Sequence, residues 1–169
     1  MKDMRISLIV QRNMSFWNSL GNLTYNWGLG QTQKRYFMEK KVLVVDDEIF
    51  TLRLMEKKLS KECDVDVATT GAEARKLIQS NKYDAIILDV NLPDISGLDI
   101  LKQEKKDTSA INHHTPFVMC SSSVDYETIS LAMEHKAFDY IIKSFHMDRL
   151  SDIMESISSF ETAREKMAV

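Results

Sequence analysis

Between residues 41 and 160 two rhythms of apolar and polar positions alternate. Two stretches with an unbroken apolar centre, Lys41-Val42-Leu43-Val44-Val45-Asp46 and Tyr83-Asp84-Ala85-Ile86-Ile87-Leu88-Asp89, each end in a carboxylate. Runs of that length fit strands buried on both faces, as a parallel sheet requires. After the first run, Ile49, Leu52, Met55 and Leu59 recur at helical spacing among Arg53, Glu56, Lys57 and Lys58, predicting a helix with one apolar stripe and one wet face. Asp64 to Ala68 predicts a second strand. Thr69-Thr70-Gly71 then breaks the chain, and Ala72 to Gln79 predicts a helix with Ala74, Leu77 and Ile78 facing inward.

The alternation continues beyond the second acid-tipped run. A loop with Pro93 and Gly97 precedes a helix from Leu98 to about Lys106, a strand from Pro116 to Cys120, and a helix from about Val124 to His135. A strand from Phe138 to Ile142 follows. The last and longest helix has Leu150, Ile153, Met154, Ile157 and Phe160 in its stripe, with Arg164 and Lys166 near the end that favours cations. Strands alternating with helices through short connections imply an α/β, doubly wound, five-stranded parallel sheet with helices on both faces. The flavodoxin-like order 2-1-3-4-5 is expected, and it puts a ligand crevice at the carboxyl ends of strands one and three. Those are the two strands that end in acid.

Composition narrows the picture further. The chain has 169 residues, 44% hydrophobic and 28% charged, the mix of a globular domain rather than of a disordered or collagen-like chain. Its longest apolar runs are about four residues, far from the roughly 18 of a membrane span. A net charge of -3 and a pI near 5.8 give no general attraction to nucleic acid or anionic lipid. Cys63 and Cys120, within or beside apolar segments, read as reduced cysteines of a cytoplasmic protein. Charge is uneven: residues 1–37 carry +4 and residues 38–169 carry -7. The first 37 residues, without sustained periodicity, are read as a poorly ordered extension or as lying upstream of the true start at Met38. Residues 38–169 form the regular domain.

Asp46 and Asp47 close the first strand and Asp89 closes the third, so three carboxylates should converge at the switch point. Taken alone, Asp46-Asp47-Glu48 is weak evidence, because an Asp before a helix is more often just an N-cap with acids favouring the first turn. The coincidence with Asp89 favours a hard divalent cation, since magnesium takes oxygen ligands, commonly one or two carboxylates with a phosphate. Ser121 at the end of strand four and Lys143 at the end of strand five arrive at the same edge. A hydroxyl and an ammonium there would make a phosphoryl group tolerable among acids.

Val42 to Glu48, Asp89 to Leu101, Pro116 to Ser122 and Asp139 to Lys143 together resemble the ordered motifs of the bacterial response-regulator receiver domain, over about residues 40 to 160. The resemblance implies that Asp89 is the phosphoacceptor, taking a phosphoryl group from the phosphohistidine of a sensor histidine kinase or histidine phosphotransfer protein. It implies Mg2+ bound by Asp47, Asp89 and the backbone carbonyl of Asn91, with Asp46 acting through a metal-bound water. Lys143 would pair with Asp89 or the phosphoryl group. Ser121 would turn its hydroxyl to that group, and Tyr140, a partly exposed aromatic, would follow inward as the switch residue. The message would leave on the face of helix four, strand five and helix five. With room only for one helix and a tail after Lys143, a stand-alone receiver without output domain or separate turnover activity is expected, acting on an unknown target protein.

Two departures from the family pattern stand out. Ser144 replaces the proline that usually follows the lysine in a cis bond, and a cis bond before serine costs roughly 2.5 to 4 kcal/mol. Lys136 stands where the family often has glycine, at a helix exit that favours a left-handed backbone. They motivate one alternative, a phosphorylation-independent interaction module of the same fold. A third reading, an aspartyl-nucleophile phosphohydrolase, lacks the Asp-x-Asp pair that class expects at its first strand. The adjacent His113 and His114 are expected to point apart in a surface loop, not to bind metal. Met55 and Met154 read as core fillers.

Overall fold

The computed structural model describes residues 40–143 and 149–167. The leading segment 1–37 lies outside the described residues, as do Met38 and Ser144, and with Ser144 the isomer of the Lys143–Ser144 bond. Five strands, β1 (Lys41–Val45), β2 (Asp64–Ala68), β3 (Ala85–Asp89), β4 (Phe117–Ser121) and β5 (Asp139–Ile142), form one sheet in the order β2-β1-β3-β4-β5. All neighbours pair in parallel, Val45 beside Leu88 and Asp89 beside Cys120. The helices are α1 (Ile49–Leu59), α2 (Gly71–Ser80), α3 (Gly97–Lys106), α4 (Tyr126–Glu134) and α5 (Leu150–Met167). The order and class are those the alternation predicts.

Side chains alternate across the strands and split the core in two. On one face Val42, Val44, Ile87, Val118 and Ile141 meet Leu52, Met55 and Leu59 of α1 and Leu150, Ile153, Met154 and Ile157 of α5. On the other, Leu43, Val45, Ile86, Leu88 and Met119 meet Ala74 and Ile78 of α2, Ile100 and Leu101 of α3 and Ala132 of α4. Both cysteines are free and buried, and burial pushes the Cys63 thiol up to about 11, so neither is poised as a thiolate. Among the described residues no helix is long and apolar enough to cross a membrane.

Several boundaries move for identifiable reasons. β3 begins at Ala85, not Tyr83, because the Tyr83 amide is taken by the Asn112 side chain and the Asp84 carboxylate accepts from the Lys41 amide. Pro116, lacking an N–H, stays out of β4, which instead gains Ser121. Helix α4 is shorter than expected because Asp125 caps it, accepting from Glu127 and Thr128 amides. Ile49 leaves the predicted stripe: it is 57% exposed and the adjacent Phe50 78%, since α1 starts there, past the end of β1. The two histidines do not point apart; their rings meet edge to face with centroids 4.6 Å apart, and the His113 ring contacts the Glu104 carbonyl.

Lys136 adopts φ 64°. Its amide reaches the Met133 carbonyl and the Ala137 amide reaches that of Ala132, the two bonds of a Schellman exit with lysine at the left-handed position.

Candidate functional site

The acids meet because two neighbouring parallel strands end together. Asp46 follows β1, Asp89 is the last residue of β3, and the Val45–Leu88 register puts both at one edge. Oxygens of Asp46, Asp47 and Asp89 lie within 4.8 Å of one another, and among the described residues this is the group that could hold a metal. Asp46 and Asp89 are 0% and 3% exposed, whereas Asp47 faces solvent. Two desolvated carboxylates beside a third oppose one another unless cations offset them.

Lys143, at the end of β5, supplies one such cation. Its ammonium donates to Asp89 Oδ2 at 2.7 Å and lies 2.7 Å from Asp46 Oδ2 as an ion pair without hydrogen-bond alignment. Burial alone would lower the lysine's pKa, but the carboxylates of Asp46 and Asp89 overcome it and hold it above 10.5. Burial likewise lifts Asp46 above 3.8, against the pull of Lys143. The cluster therefore remains short of positive charge.

The remaining candidates fall around this centre. The Asn91 amide donates to Asp89 Oδ1 at 3.2 Å, and Asn91 is exposed. The Ser121 hydroxyl, buried at the end of β4, accepts from the Ser123 amide at 3.2 Å. Tyr140 is 8% exposed, not the partly exposed ring expected, because it packs between strand β5 and the α4 side of the core. Its buried hydroxyl lies near Ser121 without reaching hydrogen-bond geometry. Burial, eased by Ser121, raises the phenol's pKa.

Sequence reasoning missed two features here. Gly97 is packed so tightly that a Cβ would stand 2.0 Å from the Asp89 carbonyl oxygen; the break before the third helix hinted at a special position, not at what it touches. Asp94 reads locally as a turn residue, yet its partners are the Gly71 and Ala72 amides. An open groove of about 280 Å3 beside the acids is lined by Asp47 and residues 90–96. The donor set, three carboxylates beside a groove with room for water, fits a hard cation and not a soft one.

Comparison with known proteins gives a consistent result. A family model described as the response regulator receiver domain matches residues 42–155. The chemotaxis protein CheY of Listeria monocytogenes is 35% identical over 119 residues, covering 68% of this chain and 95% of that protein. Response regulator ArlR of Staphylococcus saprophyticus is 34% identical over 111 residues, 65% of this chain and 48% of that protein. The match thus spans about half of ArlR, and only 22% of a two-component response regulator of Arabidopsis thaliana. Among solved structures, a Francisella response-regulator receiver domain superposes with a TM-score of 0.64 at 30% identity, covering 72% of this chain and 99% of that one. The response regulator TrrA of Thermotoga maritima, in complex with Mg2+-BeF, gives 0.62 at 30% identity, over 70% and 99%.

Proposed function

This chain belongs to the receiver-domain family of two-component response regulators, and from that premise we propose that it is a phosphoacceptor switch with Asp89 as the residue that takes the phosphoryl group. The observation that carries this reading is the convergence of three carboxylates within 4.8 Å with Lys143 ion-paired to the deepest two. The donor is the phosphohistidine of a sensor histidine kinase or a histidine phosphotransfer protein. A carboxylate oxygen of Asp89 attacks phosphorus, the P–N bond breaks, and the imidazole leaves with a proton from solvent. Asp47, Asp89 and the Asn91 carbonyl would hold Mg2+, with Asp46 through water, and the bound ion would supply positive charge to the transferring oxygens.

Each protein group has a task in that step. Lys143, already against Asp89, neutralises charge as it develops and afterwards holds a phosphoryl oxygen. The Asn91 amide fixes the orientation of the Asp89 carboxylate. Ser121 turns its hydroxyl from the Ser123 amide to the phosphoryl group, and Tyr140, packed beside it with its hydroxyl unpartnered, repacks in response. The output face is α4, β5 and α5, where Tyr126 and Leu131 of α4 are exposed to a downstream protein. A histidine-kinase pathway and two buried reduced cysteines are both consistent with a cytoplasmic location. The Lys136 departure keeps the left-handed backbone that glycine would adopt, and so gives no support to a phosphate-independent module.

Incubating the full chain with Mg2+ and acetyl phosphate, with intact mass as readout, tests the proposal. One added phosphoryl group that is absent in Asp89→Asn is expected. A chain unmodified in Mg2+ and excess phosphodonor returns the module reading, and steady turnover of many phosphate esters returns the hydrolase.

A further inference from the structure

The loop after β3 is tied to α2. Asp94 Oδ1 accepts from the Gly71 amide at 2.7 Å and Oδ2 from the Ala72 amide at 2.8 Å. One carboxylate thus occupies the first two amides of a helix that already has its own cap, Thr70, whose hydroxyl accepts from the Glu73 amide. The approach depends on Gly71 lacking a side chain, because a Cβ there would meet Ile95 Cβ at 2.9 Å and Asp94 Oδ1 at 3.1 Å. Charged hydrogen bonds along the helix dipole favour this grip. The Ala72 and Gly71 amides hold the Asp94 carboxyl below its ordinary 3.8.

The other end of this loop is the site. Only Leu92 and Pro93 separate Asp94 from Asn91, and Pro93 has a fixed φ, so little slack lies between them. Asn91 is joined to Asp89 by its amide, and the Gly97 amide returns to the Val90 carbonyl at 3.0 Å, closing the loop at its base. Those two bonds fix the loop to its own strand; Asp94 adds an anchor on α2.

We propose that Asp94 is a positioning residue: by gripping the first two amides of α2 it fixes the Asn91 carbonyl and so sets the affinity of the acid cluster for Mg2+. The inference rests on the Mg2+ reading of the site given above. Removing it frees the carbonyl, and ligation then has to order the loop as well as bind the ion. Removing the Thr70 hydroxyl weakens the same helix end from the helix's own side and leaves the loop gripped.

Calorimetric titration of the unphosphorylated full chain with MgCl2 tests this. Asp94→Ala is expected to weaken Mg2+ binding by about tenfold, the low end of the loss when the support of a ligating group is removed. Asp94→Asn, keeping one acceptor, is expected to recover part of that, and Thr70→Ala to lower Tm without changing Mg2+ affinity. Unchanged affinity in Asp94→Ala, or an equal loss in Thr70→Ala, overturns the proposal. Hydrogen exchange at the amides of residues 90–92 and 94–96, measured without metal, separates it from the reading beneath it. Unaltered exchange in Asp94→Ala overturns the clamp whatever the metal does, and a wild-type chain that takes up no Mg2+ overturns the metal reading whatever the exchange shows.

Discussion

Toward the amino ends of the strands, Asp66 accepts from the Tyr83 hydroxyl at 2.7 Å and pairs with Lys41 at 2.9 Å. Asp84 accepts from the Lys41 amide at 2.7 Å and pairs with Lys40, which also binds Glu161 of α5. Asn112 ties the Tyr83 amide to the Ile78 and Asn81 carbonyls. At the carboxyl ends the same residue types stand differently: Asp46 and Asp89 share Lys143 while Asp47 lies beside them. The contrast appears in the acidities. Burial pushes both Asp46 and Asp66 up, but Tyr83 and Lys41 outweigh it at Asp66, which ends below 3.8, whereas Asp46 ends above. One edge satisfies its charges from within, and the other is left asking for a ligand.

The largest effect should come from the satisfied edge. Asn112→Ala strands a buried amide and two carbonyls and is expected to destabilise by about 3 to 5 kcal/mol, the sum of several orphaned groups, read from the urea midpoint. The sharper experiment compares signs. Asp66→Asn should lose about 1 kcal/mol by weakening a charged hydrogen bond, whereas Asp89→Asn in metal-free buffer should gain about 1 kcal/mol by removing one of several like charges. Added Mg2+ should then raise the Tm of wild type and not of Asp89→Asn. Both substitutions destabilising equally would erase the distinction between the edges.

Lys136 ends α4 on the satisfied edge and is strained where its neighbours are not. Lys136→Gly should raise stability by about 1 kcal/mol, because a left-handed backbone penalises a side chain, checked by thermal melting. Smallest is the pH dependence in metal-free buffer. Asp66, depressed when folded, contributes stability above 3.8 that is lost as pH falls through its folded pKa. Asp46, raised when folded, has the opposite sign: stability is gained as pH falls from its raised value toward 3.8. Asp66→Asn should therefore flatten the acid limb of the stability curve, and Asp46→Asn the limb just above it.

The strands were legible because a two-faced parallel sheet demands unbroken apolar runs, and the acids at positions 46 and 89 because a run ending in acid is conspicuous. Ile49 was misplaced because helical spacing does not say where the sheet beneath the helix stops. Tyr140 was misplaced because exposure of an edge-strand aromatic depends on what the neighbouring helix leaves open. Asn112 left no signal in its polar loop: beside the Thr115 hydroxyl, its side-chain partners lie 29 to 34 residues earlier in the chain.

Patterning by itself determined the alternation of elements, the two-sided core and which strand ends carry charge, since each depends on residues close together in the chain. Tertiary structure decided which charges are answered. Whether a carboxylate finds an amide, a lysine or another carboxylate depends on strand register and loop closure, and those bring together Asp89 with Lys143 and Asp94 with Gly71 across separations that no local pattern spans.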